Sequence, residues 1–126
     1  MGSSNPSVLV VDDDSLMREM LKAILRSENY QVAGEASNGE GAIELCAKLK
    51  PDMMLLDINM PKMDGLQVLE AIRQTHPAVK VIMVSAEATM DKVTEAIGKG
   101  AAGFVVKPLN AARVLDSIGN CIKGKA

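Results

Sequence analysis

Uninterrupted apolar runs recur along this chain: Val8-Leu9-Val10-Val11, Met53-Met54-Leu55-Leu56, Val81-Ile82-Met83-Val84, and Phe104-Val105-Val106 behind Gly103. A strand with one wet face alternates apolar and polar residues, whereas a strand without alternation must be covered on both sides. A fifth and more polar run, Gln31 to Ala36, alternates in part, as an edge strand does. Between the runs the apolar spacing becomes helical. Leu16, Met17, Met20, Leu21, Ile24 and Leu25 form one stripe behind the capping pair Asp14-Ser15. Ala42, Ile43, Cys46 and Leu49 turn inward on a helix from Gly39 to about Lys50, with Asn38 before it and Pro51 after it. Val68, Leu69 and Ile72 mark a third helix that ends near Thr75-His76-Pro77. Met90, Val93, Ala96 and Ile97 mark a fourth after Thr89, with Gly98 inside it and Gly100 suited to a left-handed end. Ala111, Val114, Leu115, Ile118 and Ile122 mark the last, capped by Asn110. Strand then helix, five times over, predicts an α/β fold: a parallel sheet with right-handed crossovers and helices on both faces.

With 126 residues the chain suits one domain. The opening Met1 to Pro6 reads as a flexible or vector-derived end, residues 7–123 as the domain, and residues 124–126 as a tail. Fourteen basic residues against 16 acidic ones are scattered, which argues against a duplex nucleic-acid footprint. Tyr30 and Phe104, the only aromatic residues, cannot make a base-stacking platform. No apolar stretch reaches the roughly 18 residues of a membrane span, and no signal-type start precedes one, so a cytoplasmic protein without membrane insertion is expected. Cys46, Cys121 and His76 lie far apart without metal-ligand spacing. The nine methionines read as core filler, with Met17, Met20, Met53, Met54 and Met83 at core positions.

In an open parallel sheet, ligands bind beyond the carboxyl ends of the strands. Those ends carry Asp12-Asp13-Asp14, Asp57-Ile58-Asn59, Ser85-Ala86-Glu87 and Lys107-Pro108. Any one of these residues is an ordinary helix cap or solvated side chain; their convergence at one edge is the informative feature. At an effective dielectric near 20, two carboxylates about 4 Å apart repel by roughly 4 kcal/mol, so converging acids need a cation or a proton. Mg²⁺ suits oxygen donors, and Mn²⁺ would substitute. A carboxylate nucleophile can then accept a phosphoryl group as an acyl phosphate, with Lys107 and Ser85 stabilising the phosphoryl oxygens.

Val10-Val11-Asp12-Asp13, the stretch from Leu56-Asp57 to Asp64-Gly65, Val84-Ser85-Ala86 and Val106-Lys107-Pro108 together resemble the receiver domain of two-component response regulators, the single-domain chemotaxis type in particular. The resemblance runs from about Val8 to Ile122. It implies a flavodoxin-like five-stranded sheet in the order 2-1-3-4-5. It also implies Asp57 as phosphoacceptor and Mg²⁺ ligand, Asp13 as a direct and Asp12 as a largely water-mediated Mg²⁺ ligand, and the backbone carbonyl of Asn59 as another. Lys107 would pair with Asp57 or its phosphate, after a cis bond to Pro108. Ser85 and Phe104 would form the switch, and Asn59 and Glu87 would flank the path of attacking water and tune dephosphorylation. Phe104 stands where many chemotaxis relatives have Tyr, which removes a hydroxyl.

The implied partners are a sensor histidine kinase or histidine phosphotransfer protein and an output protein on the face of the fourth helix, fifth strand and fifth helix. Docking specificity would lie in surface side chains near the first helix, such as Arg18, Lys22 and Arg26, and the unphosphorylated form would be a monomer. Such a domain is a switch rather than an enzyme, assisting its own phosphorylation and dephosphorylation. A receiver cut from a longer regulator with a DNA-binding or enzymatic output domain is the alternative. A phosphohydrolase would want an acid where Asn59 stands, and a flavin carrier would want a phosphate-cradling loop where Asp12-Asp13-Asp14 stand.

Overall fold

The computed structural model describes residues 6–122, so most of the end segments assigned from sequence lie outside the described residues. All five expected strands form: β1 (Ser7–Val11), β2 (Gln31–Ala36), β3 (Met53–Asp57), β4 (Lys80–Ser85) and β5 (Gly103–Val106). They make one parallel sheet in the order β2-β1-β3-β4-β5. Five helices alternate with them: α1 (Ser15–Ser27), α2 (Gly39–Leu49), α3 (Gly65–Thr75), α4 (Met90–Gly98) and α5 (Ala111–Ile122).

The uninterrupted runs divide by parity, which is how one sheet supports two cores. Leu9, Val11, Met54, Leu56, Val81 and Met83 face α2, α3 and α4, meeting Ala42, Cys46, Val68, Leu69, Ile72 and Ala96. Val8, Val10, Met53, Leu55, Ile82, Val84 and Val105 face α1 and α5, meeting Leu21, Leu25, Val114, Ile118 and Cys121. Side-chain caps start the helices where expected: Asp14 accepts from the Leu16 amide, Asn38 from Gly41, Thr89 from Lys92 and Asn110 from Arg113. Gly100, at φ +104, closes the turn after α4.

Several expected core positions are wet. On α1, Leu16 is 65% exposed and Met20 is exposed as well, so Met20 is not core filler. These two lie one helical turn apart on a ridge beside the sheet-facing arc of Leu21 and Leu25. Leu49 and Ile122 are exposed on the last turns of their helices. Met90, at 81%, and Ile97 leave α4 with Ala96 as its buried residue. β5 forms the second edge of the sheet, and its Val106 is exposed, so this run is not covered on both faces. Gly98 is the last residue of α4 rather than an interior one.

Candidate metal centre

Register builds the site. β1 and β3 are neighbours with Val11 opposite Leu56, so the next residue of each chain, Asp12 and Asp57, emerges side by side at the carboxyl edge of the sheet. Both are buried, at 0% and 3% exposure, and Asp13 beside them is exposed. Carboxylate oxygens of Asp12, Asp13 and Asp57 lie within 4.8 Å of one another. Lys107 follows β5, its bond to Pro108 is cis, and its ammonium reaches across the end of β4 to Asp12 Oδ2 at 3.0 Å and Asp57 Oδ1 at 3.5 Å.

Asp12 is held from every side. Its amide donates to the Ala36 carbonyl at 3.1 Å, and its carbonyl accepts from Arg18 Nη1 at 2.7 Å. Its two carboxylate oxygens accept from the Asp14 amide at 2.9 Å and from Lys107. Asp57 is held more loosely, by the Asn59 amide at 3.3 Å and the longer contact to Lys107. Burial first, and then the charge of Asp12, push the Asp57 carboxyl up to about 6, against the pull of Lys107 and the Asn59 amide. Burial draws Lys107 down, but its bond to Asp12 and the charges of Asp57 and Asp12 outweigh that, so its pKa is raised and it stays an ammonium.

The donor set is made only of oxygen, hard and anionic, with one acid of the three reaching solvent. Those are the preferences of Mg²⁺, which keeps several waters and takes few carboxylates. The raised pKa of Asp57 reports its burial first and then the charge of Asp12 beside it. The two cysteines, with softer ligand atoms, are buried in the two core layers, where burial raises both thiols.

Ser85 ends β4 fully buried, and its hydroxyl accepts from the Glu87 amide at 3.0 Å, within its own loop rather than at Asp57. Its carbonyl accepts from the Lys107 amide at 2.9 Å, tying the ends of β4 and β5. Phe104, half-buried opposite Met83, packs on the core layer that contains Ala96 of α4. The side chains of Asn59 and Glu87 are exposed on the loops beyond Asp57 and Ser85.

Two residues have a place in this site that the sequence reading did not give them. Gly65 begins α3 where the chain folds back on β3: a Cβ there would stand 2.2 Å from the Asp57 carbonyl oxygen. The capping box of Asp64 and Gln67 fixes that entry. Arg18, expected among the docking side chains, is turned inward to the Asp12 carbonyl and to Glu35 Oε1 at 2.8 Å. Lys22, expected beside it, is buried and bonded to Glu35 Oε2 at 2.6 Å and to Glu19 at 2.7 Å, so neither is a free surface cation; Arg26 is exposed. Arg18 and Lys22 one turn apart, with a lone acid in the edge strand Gln31–Ala36, were the available signal.

The family model described as "Response regulator receiver domain" matches residues 8–119. The chain is 43% identical to "Chemotaxis protein CheY" of Thermotoga maritima over 92% of its own length and 97% of that protein's. It is 44% identical to "Chemotaxis protein CheY" of Listeria monocytogenes, covering 92% and 98%. Among solved structures it resembles the CheX-CheY-BeF3-Mg complex from Borrelia burgdorferi, with a TM-score of 0.90 at 36% identity, covering 92% of this chain and 88% of that one.

Proposed function

The chain belongs to the response regulator receiver family, whose members signal through phosphorylation, and from that membership we propose that it takes a phosphoryl group from a histidine kinase or histidine phosphotransfer protein onto Asp57, with Mg²⁺ in the acidic site. The observation that carries this reading is the buried, loosely held Asp57, pushed up to about 6 beside Asp12 and facing Lys107. Asp57, Asp13 and the Asn59 carbonyl would hold the metal, with Asp12 acting through water; Mn²⁺ would substitute. Bound there, the cation lifts the repulsion among the acids and neutralises phosphoryl charge.

The transfer forms a bond from an Asp57 carboxylate oxygen to phosphorus and breaks the donor's phosphorus–nitrogen bond. The electron pair of that bond stays with the histidine nitrogen. Lys107, already within reach of the Asp57 carboxylate, takes up the negative charge of the transferred group. The buried side of Asp57 excludes stray water, while the exposed side chains of Asn59 and Glu87 flank the path that hydrolysis would use.

The signal would leave through Ser85. Its hydroxyl is bonded to the Glu87 amide and its carbonyl to the Lys107 amide. Drawing that hydroxyl toward new phosphoryl acceptors therefore moves the loop before α4 and strains the tie to β5 together. Phe104, on the same core layer as Ala96, would follow into the space released. The output partner would read the α4-β5-α5 face, in a cytoplasmic setting, and the unphosphorylated protein would be a monomer. The domain would be a switch that assists its own chemistry rather than an enzyme acting on a separate substrate.

Incubation with Mg²⁺ and a small acyl-phosphate donor, followed by intact mass, tests the reading. A phosphoryl gain lost in Asp57→Ala and lost with chelator supports it. A gain that survives the substitution moves the acceptor elsewhere, and one that survives chelation removes the metal.

A further inference from the structure

We infer that Arg18 is a positioning residue for the acidic site, holding the peptide between Asp12 and Asp13 so that the two carboxylates leave it in fixed directions. The inference rests on the reading of that site as a Mg²⁺ site. The guanidinium makes two bonds at once, Nη1 to the Asp12 carbonyl at 2.7 Å and Nε to Glu35 Oε1 at 2.8 Å. A peptide unit is planar, so pinning the Asp12 oxygen also fixes the nitrogen and Cα of Asp13. Asp13 is the exposed member of the acid trio, without the strand that holds Asp57 or the amide bond to Ala36 that holds Asp12. Arg18 supplies that missing constraint from outside the sheet.

The anchor for this arm is itself held. Glu35 sits on the edge strand β2, and its second oxygen is occupied by Lys22, which Glu19 also engages. Two cations and two anions close on one another, so the cluster carries no net charge and acts on the acids through geometry rather than field. Arginine is required for the forked contact: an ammonium is a single point and cannot point along both directions of the guanidinium plane. The same cluster also ties α1 to β2, and Lys22 serves that tie without touching Asp12. The two roles therefore separate by residue.

Calorimetric titration with Mg²⁺ of the wild type, Arg18→Lys, Glu35→Gln and Lys22→Met, paired with amide exchange at Asp14 in the metal-free proteins, tests the assignment. Arg18→Lys, which keeps the charge, is expected to weaken Mg²⁺ binding about tenfold, as loss of a ligand-orienting partner does, and to speed exchange at the Asp14 amide, which donates to Asp12 Oδ1 at 2.9 Å. Glu35→Gln is expected to fall between it and the wild type. Lys22→Met, which loosens Glu35 without releasing the Asp12 carbonyl, is expected to lower thermal stability and to weaken Mg²⁺ binding clearly less than Arg18→Lys does. Affinity unchanged in Arg18→Lys, or lowered as much in Lys22→Met, overturns the positioning role in favour of a simple tether. If Arg18→Lys does not fold, wild-type affinity in Glu35→Gln overturns it. Absence of Mg²⁺ uptake by the wild type overturns the metal site and this inference together, whereas uptake with no difference between variants removes only the latter.

Discussion

Lys107 is bonded to Asp12 at 3.0 Å and only approaches Asp57, at 3.5 Å. The shorter contact goes to the residue already held on every side, which leaves Asp57 the more weakly held carboxylate of the two. Replacing the lysine with Met removes the cation that lowers Asp57 most, so the Asp57 midpoint in metal-free protein should climb above its value of about 6. Carboxyl-carbon NMR across a pH series reads this directly. Taking one partner from a buried ion pair should also destabilise the fold near neutrality by on the order of 3 kcal/mol. A midpoint that does not move would mean the lysine is not felt at Asp57.

The raised Asp57 pKa fixes the sign of a stability effect. The folded state holds this proton up to about pH 6, against an ordinary value of 3.8. The group's favourable contribution is thus fully present below the lower value and is lost as pH rises through the upper one. Near pH 7 the metal-free protein should lack up to about 3 kcal/mol that protonation would restore. In urea denaturation with chelator, the gap by which Asp57→Asn exceeds the wild type should widen from pH 4 to pH 7, and Mg²⁺ should narrow it. A gap independent of pH would show that Asp57 is not crowded.

Strand runs, helix caps and the acids at the strand ends were legible because each is local: parity, a capping side chain, a residue next to an apolar run. What escaped depends on which side of an element meets the sheet. Leu16 and Met20 repeat one turn apart as core residues do, yet their ridge lies beside the packed arc of Leu21 and Leu25. Met90 and Ile97 belong to a helix that rests on the sheet through little more than Ala96. Lys22 and Arg18 are charged, hence expected outside, but Glu35 on β2 gives both heads a partner. The bond from Arg18 to Asp12 was hidden for another reason: it ends on a backbone carbonyl, and carbonyls carry no sequence signal.

Gly65 and Gly98 make a contrasting pair. At Gly65 a methyl would meet the Asp57 carbonyl at 2.2 Å and the Ile58 Cα at 2.7 Å, and backbone cannot swing aside as a side chain can. Gly65→Ala should therefore cost about 2 to 4 kcal/mol in urea denaturation and displace Asp57, seen as a changed titration midpoint. At Gly98 no atom of the described residues lies within 4 Å of the added one. Gly98→Ala should be neutral or stabilising by up to about 1 kcal/mol. Equal losses at the two positions would contradict the close approach at Gly65.

Helix α4 is held unequally along its length. Its first residue, Met90, is among the most exposed apolar side chains. Its other end is pinned: Ala96 is buried, and Lys99 just beyond the helix bonds Glu70 of α3 at 2.5 Å. A helix anchored at one end opens and shifts from the other, because local stability follows buried contacts. Adding beryllofluoride with Mg²⁺ as a phosphoryl mimic should therefore change amide exchange most from Met90 to about Val93, with smaller changes toward Lys99. Glu70→Gln, which releases the pinned end, should spread the change across the whole helix. Protection left unaltered from Met90 to Lys99 would mean that the signal does not pass through α4.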